Sequence, residues 1–126
     1  MAFGKEVASF SMQSTSMTKG TDSSGNHTFV MNMEGTVSGA WSGTVLLTMI
    51  GTTADFQSGT YTADNAAYLE DGSVLTGTGA GVFGSAGGHK WQVNGTGVIT
   101  DGNRFAAEGV LDLASRSYNG KIFEIT

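Results

Sequence analysis

The chain has 126 residues, 11 acidic and 6 basic side chains and a net charge of −5. That length gives one domain of ordinary size, expected to span residues 1–126, with a real hydrophobic core and no room for a second. The negative charge repels phosphate backbones and anionic lipid surfaces, so neither nucleic acid nor a membrane is an expected partner, and the absence of cysteine removes disulfides, thiolate metal sites and cysteine nucleophiles.

The first residues, "MAFGKEVASFSM", show no basic segment ahead of an apolar run and no small-residue cleavage site, so no signal peptide is expected. The longest apolar stretch, "VLLTMIG" at 45–51, is far shorter than the roughly 20 residues a membrane helix needs. A soluble, cytoplasmic protein is the expectation. Alternation of apolar and polar residues then begins: in "HTFVMNMEG", His27, Phe29, Met31 and Met33 share one face, and in "WSGTVLLTM", Trp41, Val45, Leu47 and Met49 do. The same odd-numbered face continues through His89, Trp91, Val93 and Ile99 and then Phe105, Ala107, Leu111 and Leu113. Glu34, Glu108 and Asp112 fall on the opposite, outer face.

Turn signals punctuate these runs: "SSGN" at 23–26, "VSG" at 37–39, "EDGS" at 70–73, "GSAGG" at 84–88, "TDGN" at 100–103 and "SYNG" at 117–120. Their glycines and asparagines supply the positive φ of tight hairpins. No apolar run repeats with a helical period. The fold class is therefore all-β, a single antiparallel up-and-down β-barrel of about eight strands, with a β-sandwich as the alternative. Glycines inside the strand runs (Gly43, Gly59, Gly77, Gly79, Gly95, Gly97) favour the closed form, because they mark bends and bulges. The recurring Gly-Thr pairs follow hairpin spacing rather than a structural repeat, since the residues around them do not recur.

The search for chemistry removes several options. "GAGVFG" at 79–84 matches the dinucleotide fingerprint by letter, but "SAGGHKWQVNG" follows where a helix would have to start. With two histidines and no paired ligand spacing, no metal is expected, and no G-x-S-x-G elbow marks a serine nucleophile. Nothing calls for a cofactor. If the odd-numbered face points inward, the interior is apolar and Met-rich, with His27, His89 and Tyr61 as its polar handles. Met31, Met33, Trp41, Met49, Trp91 and Phe105 are then the candidate ligand-binding wall. Each has a plain structural reading as well, as core filler or barrel-mouth residue.

The stretches "MEGTVSGAWSG" (33–43), "EDGSVLTGTGAGVF" and "HKWQVNGTGVITDGNRFAAEGVLDL" resemble the small calycin-shaped barrels related to allene oxide cyclase, a group that includes dirigent-like domains and an uncharacterised bacterial family. The likeness lies in a strand ending in G-T-G, a turn, and a strand returning through a small-residue-Gly step, here "NGTG" and "AAEG". It implies an eight-stranded barrel with a hydrophobic central cavity and, in enzymatic members, cofactor-free cyclisation or isomerisation. No catalytic residue of that group aligns here. The Gly-x-Trp start of the lipocalins is absent, since Trp41 comes too late in the chain.

Three functions are compatible with these residues. The first is a barrel binding a small, largely apolar metabolite. The second is a cofactor-independent cyclase or isomerase in the same cavity, with His89 as acid or base and Tyr61 or His27 as hydrogen-bond donor. The third is a structural or assembly subunit with a filled barrel. A homodimer is compatible with the sparsely charged outer face.

Overall fold

The computed structural model describes residues 3–125, with Phe3 described by its backbone alone; residues 1, 2 and 126 of the expected domain lie outside the described residues. Eight strands follow one another: β1 (Phe3–Thr21), β2 (His27–Gly39), β3 (Gly43–Thr53), β4 (Ser58–Leu69), β5 (Val74–Gly87), β6 (Lys90–Ile99), β7 (Arg104–Asp112) and β8 (Ser117–Ile125). Each pairs antiparallel with the next, and β1 pairs with β8, so the sheet is a closed up-and-down barrel. No helix among the described residues is long and apolar enough to cross a membrane.

The alternating face expected from the sequence forms the core: Met31, Met33, Val37, Val45, Leu47, Met49, Tyr61 and Val93 are buried and packed together. In the middle strands the inner face keeps to odd numbers because an odd number of residues separates the last pairs of each hairpin, as between Thr53 and Gly59, Tyr68 and Val74, and Val98 and Arg104. The turn at 113–116 has an even number, between the paired Asp112 and Ser117. In β8 the inner face therefore moves to even positions, which buries Tyr118 and places Ile122 against the core. β1 is also even in its first part, burying Ala8, Phe10 and Met12. A bulge between Ser14 and Ser16 then inserts one residue, and Met17 beyond it lies on a cavity wall.

Three expected turns are corrected. Residues 84–87 of "GSAGG" end β5, and the chain turns at 88–89. "SYNG" at 117–120 lies inside β8, and the chain turns at 113–116, where Arg116 adopts a positive φ of 56°. "VSG" at 37–39 is the end of β2; the chain reverses just beyond it, with Gly39 at φ 123°.

Glycine serves a second purpose, which is close approach between aromatic rings and backbone. Tyr61 pairs with Gly81, which pairs with Gly95, so the tyrosine is followed round the wall by two positions without side chains. Its hydroxyl sits where a Cβ on Gly95 would stand. Gly109 and Gly120, paired on β7 and β8, likewise make room for Phe10 and Tyr118, whose rings pack at 4.8 Å between centroids. Rings laid over bare glycine cover backbone that would otherwise be unpacked.

Candidate functional site

Two chambers lie end to end along the barrel axis. The first, a cavity of about 120 Å³, opens toward the turns after β2, β4 and β6 and is lined by residues that include Phe10, Met12, Trp41, Leu47, Asn65, Leu75, Ile99, Phe105 and Tyr118. The second, of about 210 Å³, opens toward the turns after β1, β3, β5 and β7, with Met17, Phe29, Met31, Phe83, Trp91, Val93 and Leu111 in its wall and Phe56 and Leu113 at its rim. Met49 and Tyr61 line both, so they form the waist between the chambers.

The rim of the second chamber is organised around one loop. Thr53, at the end of β3 and only 3% exposed, accepts hydrogen bonds from the Phe56 and Asp55 amides at 3.0 and 3.4 Å and donates to the Ser58 carbonyl at 2.6 Å. The Asp55 carboxylate caps the same turn by accepting from the Gln57 and Ser58 amides, and those bonds hold its pKa below the usual carboxylate value. Phe56 is thereby set at a positive φ of 62°, with its ring 4.2 Å from His27 and 5.9 Å from Phe29, and its carbonyl accepts from the Trp91 indole at 3.0 Å. Phe56, His89 and Arg116, the non-glycine residues with positive φ among those described, all lie in turns at this end. Backbone strain of that kind persists where the surrounding structure enforces it.

The histidines are the main correction to the expected site. His89 is exposed in the turn between β5 and β6 at φ 59°, not on the inward face of a strand, and it lines neither chamber. Parity fails there because the chain reverses at Gly87 and Gly88, and the strand resumes only at Lys90. His27 opens β2 half-buried at the rim, stacked on Phe56, with Nδ1 2.9 Å from Lys19 Nζ. It too lines neither chamber. Of the expected binding wall, Trp41 and Phe105 face the first chamber, Met31 and Trp91 the second, and Met49 both. Met33 is buried in the core but does not line either one.

Four polar wall residues were missed from the sequence: Thr53, Asn65, Thr96 and Tyr118. Asn65 lies on the inner face of β4, two pairs of residues along from Tyr61, and a period-2 count from Tyr61 through Ala63 finds it. Tyr118 escaped because "SYNG" reads as a turn. Neither Tyr61, Tyr118 nor Asn65 makes a side-chain hydrogen bond within the protein among the described residues, and no buried side-chain N or O atom there is left unsatisfied. Their polar atoms therefore open onto the cavity rather than into packed apolar wall.

Among the described residues, no Lys, Arg, His, Asp or Glu lines either chamber. The titratable groups inside are the tyrosines: burial pushes Tyr61 up to about 12, and burial, then the proximity of Tyr61, pushes Tyr118 up as well. Below the ordinary value of 10.0, folded and unfolded chains hold these protons alike, and stability should not depend on them. Above it the unfolded chain releases protons that the folded chain keeps, so stability should fall as pH rises from 10.0 toward about 12. Urea unfolding across that window should show a steeper fall in the parent than in a Tyr61→Phe, Tyr118→Phe double variant; equal slopes would mean that the hydroxyls are fully solvated.

In comparisons with known proteins, the chain matches no family model, no curated protein and no solved structure.

Proposed function

We propose that the barrel binds a small, largely apolar metabolite in its central cavity. The observation that carries this reading is the pair of apolar chambers joined at the Met49–Tyr61 waist. A dry apolar cavity of about 150 Å³ is enough to take up a benzene ring. The chamber of about 210 Å³ therefore suits one ring and that of about 120 Å³ a smaller alkyl group, or the two together one elongated molecule passing the waist. Burial of such a ligand contributes about 25 cal/mol per Å² of apolar surface. The open interior weighs against a filled structural barrel. The cyclase or isomerase reading drew its acid–base group from His89, and the exposed position of that imidazole takes this support away. Protonated tyrosines are suited to holding a ligand rather than to exchanging protons with it near neutrality.

Native mass spectrometry of the protein as purified tests the reading. The expected result is a stoichiometric small-molecule adduct, or uptake of one when toluene or indole is added. A chain that flies bare and takes up neither at saturating concentration would sink it.

A further inference from the structure

We infer that the two inward tyrosines, Tyr61 at the waist and Tyr118 in the wall of the first chamber, supply hydrogen-bond donors for the oxygen of a neutral carbonyl compound whose apolar groups occupy the chambers. The inference rests on the ligand-binding reading and adds the chemical class of the ligand.

Tyr61 and Tyr118 are 8% and 4% exposed, yet both belong to the wall of the first chamber. Neither hydroxyl has a protein partner among the described residues. Both hydroxyls keep accessible surface on the cavity without a protein partner, so each is open to a partner that enters it. The geometry holds the rings rather than leaving them free to find protein acceptors. Tyr61 lies over Gly95, where its hydroxyl and Cζ occupy the space of a side chain, and Tyr118 is wedged between Phe10 and Gly109. A positioned phenol O–H matches a lone pair of a carbonyl oxygen.

Charge decides between a neutral and an anionic ligand. With no Lys, Arg or His in either wall, a carboxylate taken into the cavity would lose its hydration with no cation to replace it. Lys19, at the outer rim, is engaged with the Gly20 carbonyl, Thr21 and His27 rather than with the chambers. A phenol is protonated at neutral pH in any case, and burial only moves its titration further up, so both remain donors. The apolar arms on either side follow from the walls: Phe83, Trp91 and Leu111 face one, and Phe10, Leu47 and Phe105 the other.

Acetophenone and ethylbenzene, which differ by a carbonyl in place of a methylene, separate the two layers of the argument. The expected result is that both bind, and that Tyr61→Phe weakens acetophenone by about threefold to tenfold, the value of one hydrogen bond, while leaving ethylbenzene unchanged or tighter. Tyr118→Phe should act in the same direction. In the unmodified protein the acetophenone C=O stretch should move to lower frequency on binding, a readout that needs no variant to fold. If ethylbenzene and acetophenone both bind but the variants treat them alike and the stretch does not move, the donor role of the tyrosines is overturned and the ligand-binding reading survives. If neither probe binds, both fall together.

Discussion

Replacing Gly81 with alanine should destabilise the barrel by about 3 kcal/mol, near the upper end of what overpacking costs. A Cβ at this position would overlap the carbonyl oxygen of Asn94 and stand 2.6 Å from the Cα of Gly95. Both obstacles are backbone of the neighbouring β6, so no rotamer change can relieve them; the two strands would have to separate beneath the Tyr61 ring. Gly84, further along the same strand, has nothing within 4 Å of its would-be Cβ. Gly84→Ala should therefore stay within about 1 kcal/mol of the parent, on the stabilising side if the lost flexibility of the unfolded chain dominates. Urea unfolding of the two variants at constant m-value checks the contrast. Equal effects would mean that the β5–β6 approach is not a constraint on the fold.

Phe10→Ala should cost more, about 3–5 kcal/mol. The ring is 6% exposed, packs on Tyr118 and lies over the bare backbone of Gly109 and Gly120, so its loss removes packing on three sides. It also lines the first chamber, so the space it leaves joins a cavity that already exists. A ring-sized ligand such as toluene should then restore part of the stability, in proportion to the logarithm of its concentration above Kd. A cost below about 1 kcal/mol would show that the wall collapses into the gap and that the chamber is not held open by its frame.

The strand pattern was legible because most of it rests on alternation, and alternation is a local property. Met31, Val45, Leu47, Met49 and Val93 all reached the core as their positions required. Closure was legible from glycine inside strands, though the reason proved more specific than bending: rings from one strand occupy the space above glycines on another. What sequence could not carry were the places where local count and long-range register disagree. Asn119-Gly120 is the strongest turn dipeptide in the C-terminal region, yet it lies in β8, where the glycine admits Phe10 and the backbone of β7. The bulge after Ser14 has no marker in "QSTSM", and the even-length turn at 113–116 is invisible until β7 and β8 are paired. Those two shifts decide that Phe10, Met12 and Tyr118 face inward. His89 failed for the opposite reason: its neighbours Trp91 and Val93 alternate correctly, but the strand does not extend back to reach it.

The seam between β1 and β8 has a consequence for how the chain reaches this state. Ala8 pairs with Ile122 and Met12 with Tyr118, and the Gln13 side chain donates to the Ser115 carbonyl across a separation of 102 residues. Every other strand pairs with its neighbour in sequence, through a short hairpin. Hairpins of that kind form quickly, whereas joining the two ends of the chain carries the loop-closure entropy of nearly its full length. The seam is thus expected to close last, and Phe10 and Tyr118 meet only when it does. The interior space comes into being at that moment, so any occupant would have no site on the open sheet and would act as a latch on the finished barrel.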